Sequence, residues 1–464
     1  MFQFLDREHS IAPPNFNRWL FPPAALAVHL CIGQVYGLSV FNIPMTKLIG
    51  ITEPAKGLDW TIPDLGWIFS IALAMLGLSA AFFGKWVELS GPRKTMFASA
   101  ICWSVGFFIG ALGIWLHQLW IVYFGYGVVG GIGLGLGYIS PVSTLMKWFP
   151  DRPGMATGIA IMGFGGGAMI GSPLAVELMN TFKTPSSMGV WETFLVMGAI
   201  YLVFMLFGAF AARVPAPDWK PVGFNPSVLP KKLVTSANVS ADAAISTPQF
   251  WLLWGVLCMN VTAGIGVLGQ ASPMIQEMFL LKKFRDAGMS EADVVKMAAA
   301  AGGGFTALLS LFNLVGRFFW SSLSDKFGRK VNYIIYLGLG TLLYALIPTT
   351  GQLGSVVLFV VLFSVIMSMY GGGFATIPAY LRDLFGTMQV GAIHGRLLTA
   401  WSVAAVLGPV LVNYIREYQI SVGVAKADAY NITMYIMAGL LVVGFICNFL
   451  VREVAEKYHH KEVI

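Results

Sequence analysis

Long uninterrupted apolar runs govern what this chain can fold into. Twelve stand at 20–42, 62–83, 95–115, 118–146, 154–178, 190–211, 249–274, 299–321, 331–349, 352–380, 390–415 and 430–451. A helix needs roughly 20 apolar residues to cross a hydrocarbon core about 30 Å thick, and longer runs can tilt. In lipid the backbone must satisfy its own hydrogen bonds, so a crossing segment is a helix or a strand of a closed barrel. Barrel strands alternate apolar and polar over about ten residues. These runs are continuous, so they predict helices. Charge points the same way: 11% of the 464 residues are charged and 57% are apolar. A soluble domain carries about 25% charged residues. That balance excludes disorder and argues against a water-soluble enzyme. The expectation is an all-α membrane protein with twelve transmembrane helices, in which 154–178 and 299–321 are the weakest spans because of their glycines.

Polar segments divide the runs. Residues 1–19 read as a soluble cytoplasmic tail, since they carry Asp6, Glu8 and two prolines and no signal-peptide order. Residues 20–211 form a first six-helix bundle and 249–451 a second. The 212–248 loop between them holds Arg213, Lys220, Lys231 and Lys232. Residues 452–464 form a second tail. The 275–298 stretch reads as holding a short surface helix capped by Ser290. With both termini placed in the cytoplasm, the tails and even-numbered connections carry nineteen Lys/Arg and the odd-numbered ones nine. That bias orients the protein with both ends inside.

The halves repeat. Glu88 heads ELSGPRK and Asp325 heads DKFGRK, and their spacing of 237 also superposes Gly91 on Gly328, Gly154 on Gly391 and Gly171 on Gly408. A constant spacing over separate regions predicts two parallel six-helix bundles related by an axis along the membrane normal. Each repeated turn joins two spans with little slack. It needs a glycine, Gly91 or Gly328, and basic residues such as Arg93 or Arg329 at the membrane surface. The acid in each, Glu88 or Asp325, can receive a helix N-terminus or a basic partner from a neighbouring helix. That would make the turn a clamp that forms in one conformation and breaks in another; the plain alternative is an ordinary charged turn.

These turns resemble the signature of the major facilitator superfamily, over roughly residues 20 to 450. Within it, the chain is similar to the oxalate/formate antiporter family through NLVGRFFWSSLSDKFGRK at 313–330, RPGMATGIAIMGFGGGA at 152–168, YGGGFATIP at 370–378 and LLTAWSVAAVLGP at 397–409. The resemblance implies the major facilitator fold and secondary active transport of a small carboxylate by alternating access, as exchange or proton symport. It also implies a multi-pass protein of a bacterial cytoplasmic (inner) membrane.

Arg317 is the most informative residue. It lies eight positions before Asp325, about 12 Å along a helix, inside an apolar run. A charge there is costly unless it faces protein or water, and an arginine does not easily deprotonate. Its planar fork suits a carboxylate. In the resembled family the eighth-helix arginine is implicated in binding the carboxylate substrate, and Arg317 matches it. The alternative is snorkelling or a structural bond to a loop acid. Trp401 departs from the family: dicarboxylate-carrying members resemble LLYTAKG, and Trp401 stands at the lysine. One cation with aromatic walls favours a monocarboxylate, with a dicarboxylate/formate-type antiporter as the alternative. His394 and Arg396, one or two turns nearer the cytoplasm, are placed at the helix mouth, with supply of the second charge as the alternative. His29, Gln34 and Tyr36 in the first span, Asn260 and Asn313 in the seventh and eighth, and Tyr370 in the tenth are polar groups expected to face the bundle interior. His29 is either a substrate or proton contact or a neutral histidine bonded to a neighbouring helix.

Other classes fit poorly. The six histidines (9, 29, 117, 394, 459 and 460) and four cysteines make no metal spacing or nucleophile set. The glycine string at 125–137 lacks the lysine and context of a nucleotide loop and reads as close helix packing. A transporter-like sensor would need a signalling domain that the 212–248 loop is too short to hold. The reading is therefore no enzyme, no cofactor, no metal and no nucleic acid. The partners are a small carboxylate anion, a coupling proton or counter-anion and membrane lipid, with a monomeric transport unit.

Overall fold

The computed structural model describes residues 3–51, 53–217, 219–223, 234–235 and 237–460. Lys231 and Lys232 of the central loop lie outside the described residues. Ten helices among those described are long and apolar enough to cross a membrane. Two predicted runs, 62–83 and 95–115, fall in one element, Ile62–Trp115, which breaks its helical course at Gly91 (φ 80°, ψ 169°). The eighth run falls within Glu291–Phe327, which stands outside those ten.

The 275–298 stretch differs from expectation. The Pro248–Ile275 helix runs on through a π turn, Gln276–Leu280, into Leu281–Asp286. Ser290 then caps the 37-residue Glu291–Phe327 helix by accepting from the Asp293 amide at 3.2 Å. The short surface helix of this stretch is Leu281–Asp286, and Ser290 caps the eighth apolar run instead of it. The turn before it is tied by Lys282–Asp286 and Arg285–Glu291 pairs, both at 2.5 Å.

The chain forms two compact units. The first takes the residues up to Thr247, together with Pro378–Ser402 and the residues from Glu453 onward. Its helices include Phe21–Ile32, Gly131–Trp148, Pro153–Phe182 and Val190–Ala211, and Phe21–Ile32 continues as a 3-10 helix over Gly33–Phe41. The N-terminal segment is packed rather than loose. Arg93 donates to the carbonyls of Phe4 (2.6 Å) and His9 (3.2 Å). Lys94 pairs with Asp6 at 2.9 Å, and Arg18 forks onto Asp151 at 2.7 and 3.1 Å. Ser10 and Ala12 bond the backbone of Val214 at 2.9 Å.

The second unit is Pro248–Ile377 with Val403–Arg452. Tyr344 donates to the Ala263 carbonyl at 3.0 Å, and Lys330 closes the end of Asn431–Leu450 by donating to the Phe449 and Val451 carbonyls at 2.7 Å.

The two repeated glycines share one backbone state. Gly328 has φ 92° and ψ 151°, close to Gly91. This region is open to glycine and strained for other residues, at about 1–3 kcal/mol. A Cβ on Gly328 would meet nothing within 4 Å, so the cost of Gly328→Ala is backbone strain alone. Gly328→Ala is expected to lower the thermal unfolding midpoint in detergent. An unchanged midpoint would contradict this reading of the turn.

Candidate substrate and gating sites

Glu88 is 9% exposed and gathers three partners. One carboxylate oxygen pairs with Lys147 at 2.5 Å; the other accepts from the Ser143 hydroxyl at 2.7 Å and the Gly391 amide at 2.9 Å. Gly391 lies in the first turn of Val390–Leu397, where unsatisfied amides favour a negative charge. Beside this cluster, Asp242 bridges Lys85 (2.5 Å) and Arg396 (2.7 Å). The Lys85 hydrogen bond, then the Arg396 one, hold the Asp242 carboxyl below the ordinary carboxylate range.

The second turn is built differently. Asp325 pairs with Arg329 at 2.7 Å, four residues along, and Arg329 also donates to the Ser324 hydroxyl. Arg93 has no matching pair with Glu88; it binds main-chain carbonyls of the N-terminal segment. The sequence repeat therefore places equivalent glycines but not equivalent ion pairs.

Arg317 is fully buried in the second unit. Its Nε donates to Asn313 Oδ1 at 2.9 Å, one helical turn away. Its guanidinium carbon sits 5.5 Å from the Phe374 ring centroid, within cation–π range. Phe374 packs at 5.3 Å on Tyr370, itself 2% exposed. Gly371 lets these helices approach, since a Cβ there would meet Asn313 and Arg317. The structure thus brings Arg317, Asn313 and Tyr370 together and adds Phe374, whose sequence signal was its place four residues after Tyr370 in the glycine run.

In the first unit, Tyr138 is the hub of an aromatic cluster. Its ring lies 5.6 Å from His29, 5.4 Å from Phe164, 5.3 Å from Trp401 and 5.9 Å from His394. Phe164 lies 5.5 Å from Trp401 and 5.1 Å from Tyr36. His29 Nδ1 is 3.1 Å from the Ala25 carbonyl, which makes Nδ1 the protonated nitrogen. Gln34 is buried elsewhere, toward Gly171 and the Tyr201 hydroxyl. His394, expected at a helix mouth, is fully buried against Tyr138, because its turn of helix packs inward through Gly391 and Gly395. Arg396 reaches the Ala241 carbonyl and Asp242 instead.

One polar cluster had no local signal. Glu277 pairs with Arg416 at 2.5 Å and accepts from the Tyr430 hydroxyl at 2.7 Å, over separations of 139 and 153 residues.

The Major Facilitator Superfamily profile matches residues 25–409 and, in a second match, 296–463. An uncharacterized MFS-type transporter, YhjX, of Escherichia coli (strain K12) is 26% identical over 403 residues, covering 85% of this chain and 88% of that one. The oxalate:formate antiporter of Oxalobacter formigenes is 25% identical, with 84% and 83% covered. Apicoplast pyruvate carrier 1 of Toxoplasma gondii is 23% identical, with 79% and 78% covered. Among solved structures, a bacterial homologue of the iron transporter ferroportin, in an outward-facing state, shares the fold at a TM-score of 0.62 and 16% identity, over 93% of this chain and 98% of that one. With its multi-pass helical architecture and a match over most of its length, the chain belongs to the Major Facilitator Superfamily and is a membrane transporter, not an enzyme.

Proposed function

We propose that this protein is a secondary transporter of a small monocarboxylate, working by alternating access in a bacterial cytoplasmic membrane with both termini inside. The observation that carries the reading is Arg317, a fully buried guanidinium held by a neutral amide and an aromatic face. A guanidinium is a planar fork of five N–H donors, the geometry that fits a carboxylate. Trp401 offers apolar surface and no charge, so a second carboxylate meets no cation at that position. The names of two relatives, an oxalate:formate antiporter and a pyruvate carrier, support a small carboxylate.

Twelve spans in two six-helix bundles, 20–211 and 249–451, follow if Ile62–Trp115 counts as two spans across Gly91 and Glu291–Phe327 as one. His29, Tyr36, Asn313 and Tyr370 contribute substrate contacts, and Gln34 positions the first helix against Gly171. His29 is the candidate proton carrier if transport is symport rather than exchange. Glu88 forms the clamp, with Arg93 anchoring its turn to the N-terminal segment. Asp325, Gly328 and Arg329 form the corresponding turn of the second half. A dicarboxylate/formate-type exchange is the second reading, favoured by the relative that carries oxalate and formate.

The test is Trp401→Lys, which adds a cation at the departing position. The variant is expected to shift the malonate-to-lactate binding ratio toward malonate by about tenfold, the worth of one partly desolvated charge-assisted bond. An unchanged ratio removes the role given to Trp401 and leaves Arg317 as the anchor.

A further inference from the structure

The first unit carries an open cleft of about 450 Å3 beside the Glu88 cluster. Its wall includes Arg7 from the N-terminal segment, Lys85, Glu88 and Leu89 from the Gly91 turn, and Lys147 from the end of Gly131–Trp148. Three cations and one carboxylate line it, and a second carboxylate, Asp242, stands against Lys85. Lys147 bonds Glu88, Lys85 bonds Asp242, and Arg7 donates to the Glu88 main-chain carbonyl at 3.4 Å. An ammonium has three donors and a guanidinium five, more than these contacts use. The excess positive charge and the nearby start of Val390–Leu397 both favour an anion.

We propose that this cleft is an anion-receiving vestibule: a small oxyanion, carboxylate or inorganic phosphate, binds among Arg7, Lys85 and Lys147. The bound anion competes with Glu88 for the Lys147 ammonium. Glu88 then holds the Gly391 amide less firmly, and the clamp releases more readily. This second step rests on the reading of Glu88 as a clamp; the binding step does not. All three cations are partly exposed to solvent, so affinity is weak, about millimolar. A lipid headgroup phosphate has the same chemistry, and Leu89, 76% exposed at the rim, would meet its tails. The soluble ion is the occupant proposed.

The experiment uses the full chain carrying Leu89→Cys in neutral phosphatidylcholine vesicles, with the parent chain as background. Modification by a negatively charged thiol reagent is expected to outpace that by a positively charged one by about tenfold, relative to the same ratio at a Val422→Cys control. Millimolar inorganic phosphate or acetate should slow the negative reagent, and Arg7→Gln with Lys85→Gln should abolish both effects. Equal ratios at both cysteines, or no effect of phosphate, would overturn the site. Protection only by vesicles containing phosphatidylglycerol, and not by free phosphate, would overturn the soluble occupant. For the clamp step, phosphate should raise the reactivity of Ile393→Cys, buried at 1% exposure. In a Glu88→Gln background that cysteine should react without phosphate. Protection at Leu89→Cys with no change at Ile393→Cys would overturn the competition step alone. An Ile393→Cys that stays unreactive in Glu88→Gln would instead remove the clamp reading itself.

Discussion

Arg317→Gln is expected to weaken carboxylate binding by roughly thirtyfold to a few thousandfold while the protein still folds. Truncating one partner of a buried, hydrogen-bonded charge pair costs about 2–5 kcal/mol, and each 1.4 kcal/mol is about tenfold in affinity. Folding should survive because the change removes a desolvated charge, and a glutamine amide can still donate to Asn313. Arg317→Lys keeps the charge and loses the planar fork, so it should fall between the two. A binding titration of lactate and formate against purified wild type and both variants reads this directly. If Arg317→Gln binds as tightly as wild type, the carboxylate site is elsewhere.

Glu88→Gln is expected to shift the balance between transport states by tens of fold, with little direct change in substrate contact. The carboxylate loses its ion pair with Lys147 and its charge-assisted bond to the Gly391 amide, and keeps the weaker capacity of a neutral amide oxygen. Lys147 is 26% exposed on its side chain, so solvent screens part of the pair. A net loss of about 2 kcal/mol remains from the two bonds and the helix end. Asp325→Asn is likewise expected to slow interconversion more than it weakens binding. Its pair with Arg329 lies within a single turn, so the effect should be smaller than for Glu88. Exchange rate and affinity measured on the same preparations separate the two quantities. A changed affinity with an unchanged exchange rate contradicts the clamp.

Much of the architecture was legible because lipid imposes a length rule: apolar runs near 20 residues had to be helices, and they are. The Gly91 and Gly328 repeat was readable because only glycine tolerates the backbone state both adopt. Arg317 stood out because a cation inside an apolar run demands a reason. The Glu88–Gly391 bond was not legible in its partner, since 303 residues separate the two. The depth of His394 depended on which face of its helix turns inward: His394 and Arg396, two residues apart, stand on different faces of Val390–Leu397, and the sequence does not say which is packed. Gln34 was read with His29 and Tyr36 because all three are polar and close in sequence. It faces another way because the chain past Ile32 turns as a 3-10 helix, in which residues two apart, such as Gln34 and Tyr36, stand on different faces.

In the proposed mechanism a single carboxylate is carried and Arg317 holds it. Counterflow in proteoliposomes loaded with formate, lactate, pyruvate, oxalate or malonate tests it most directly. An internal monocarboxylate is expected to drive uptake of its labelled counterpart in wild type, oxalate and malonate to do so poorly, and Arg317→Gln to abolish the exchange. Uptake driven by none of the five acids, or undiminished exchange in Arg317→Gln, would contradict it.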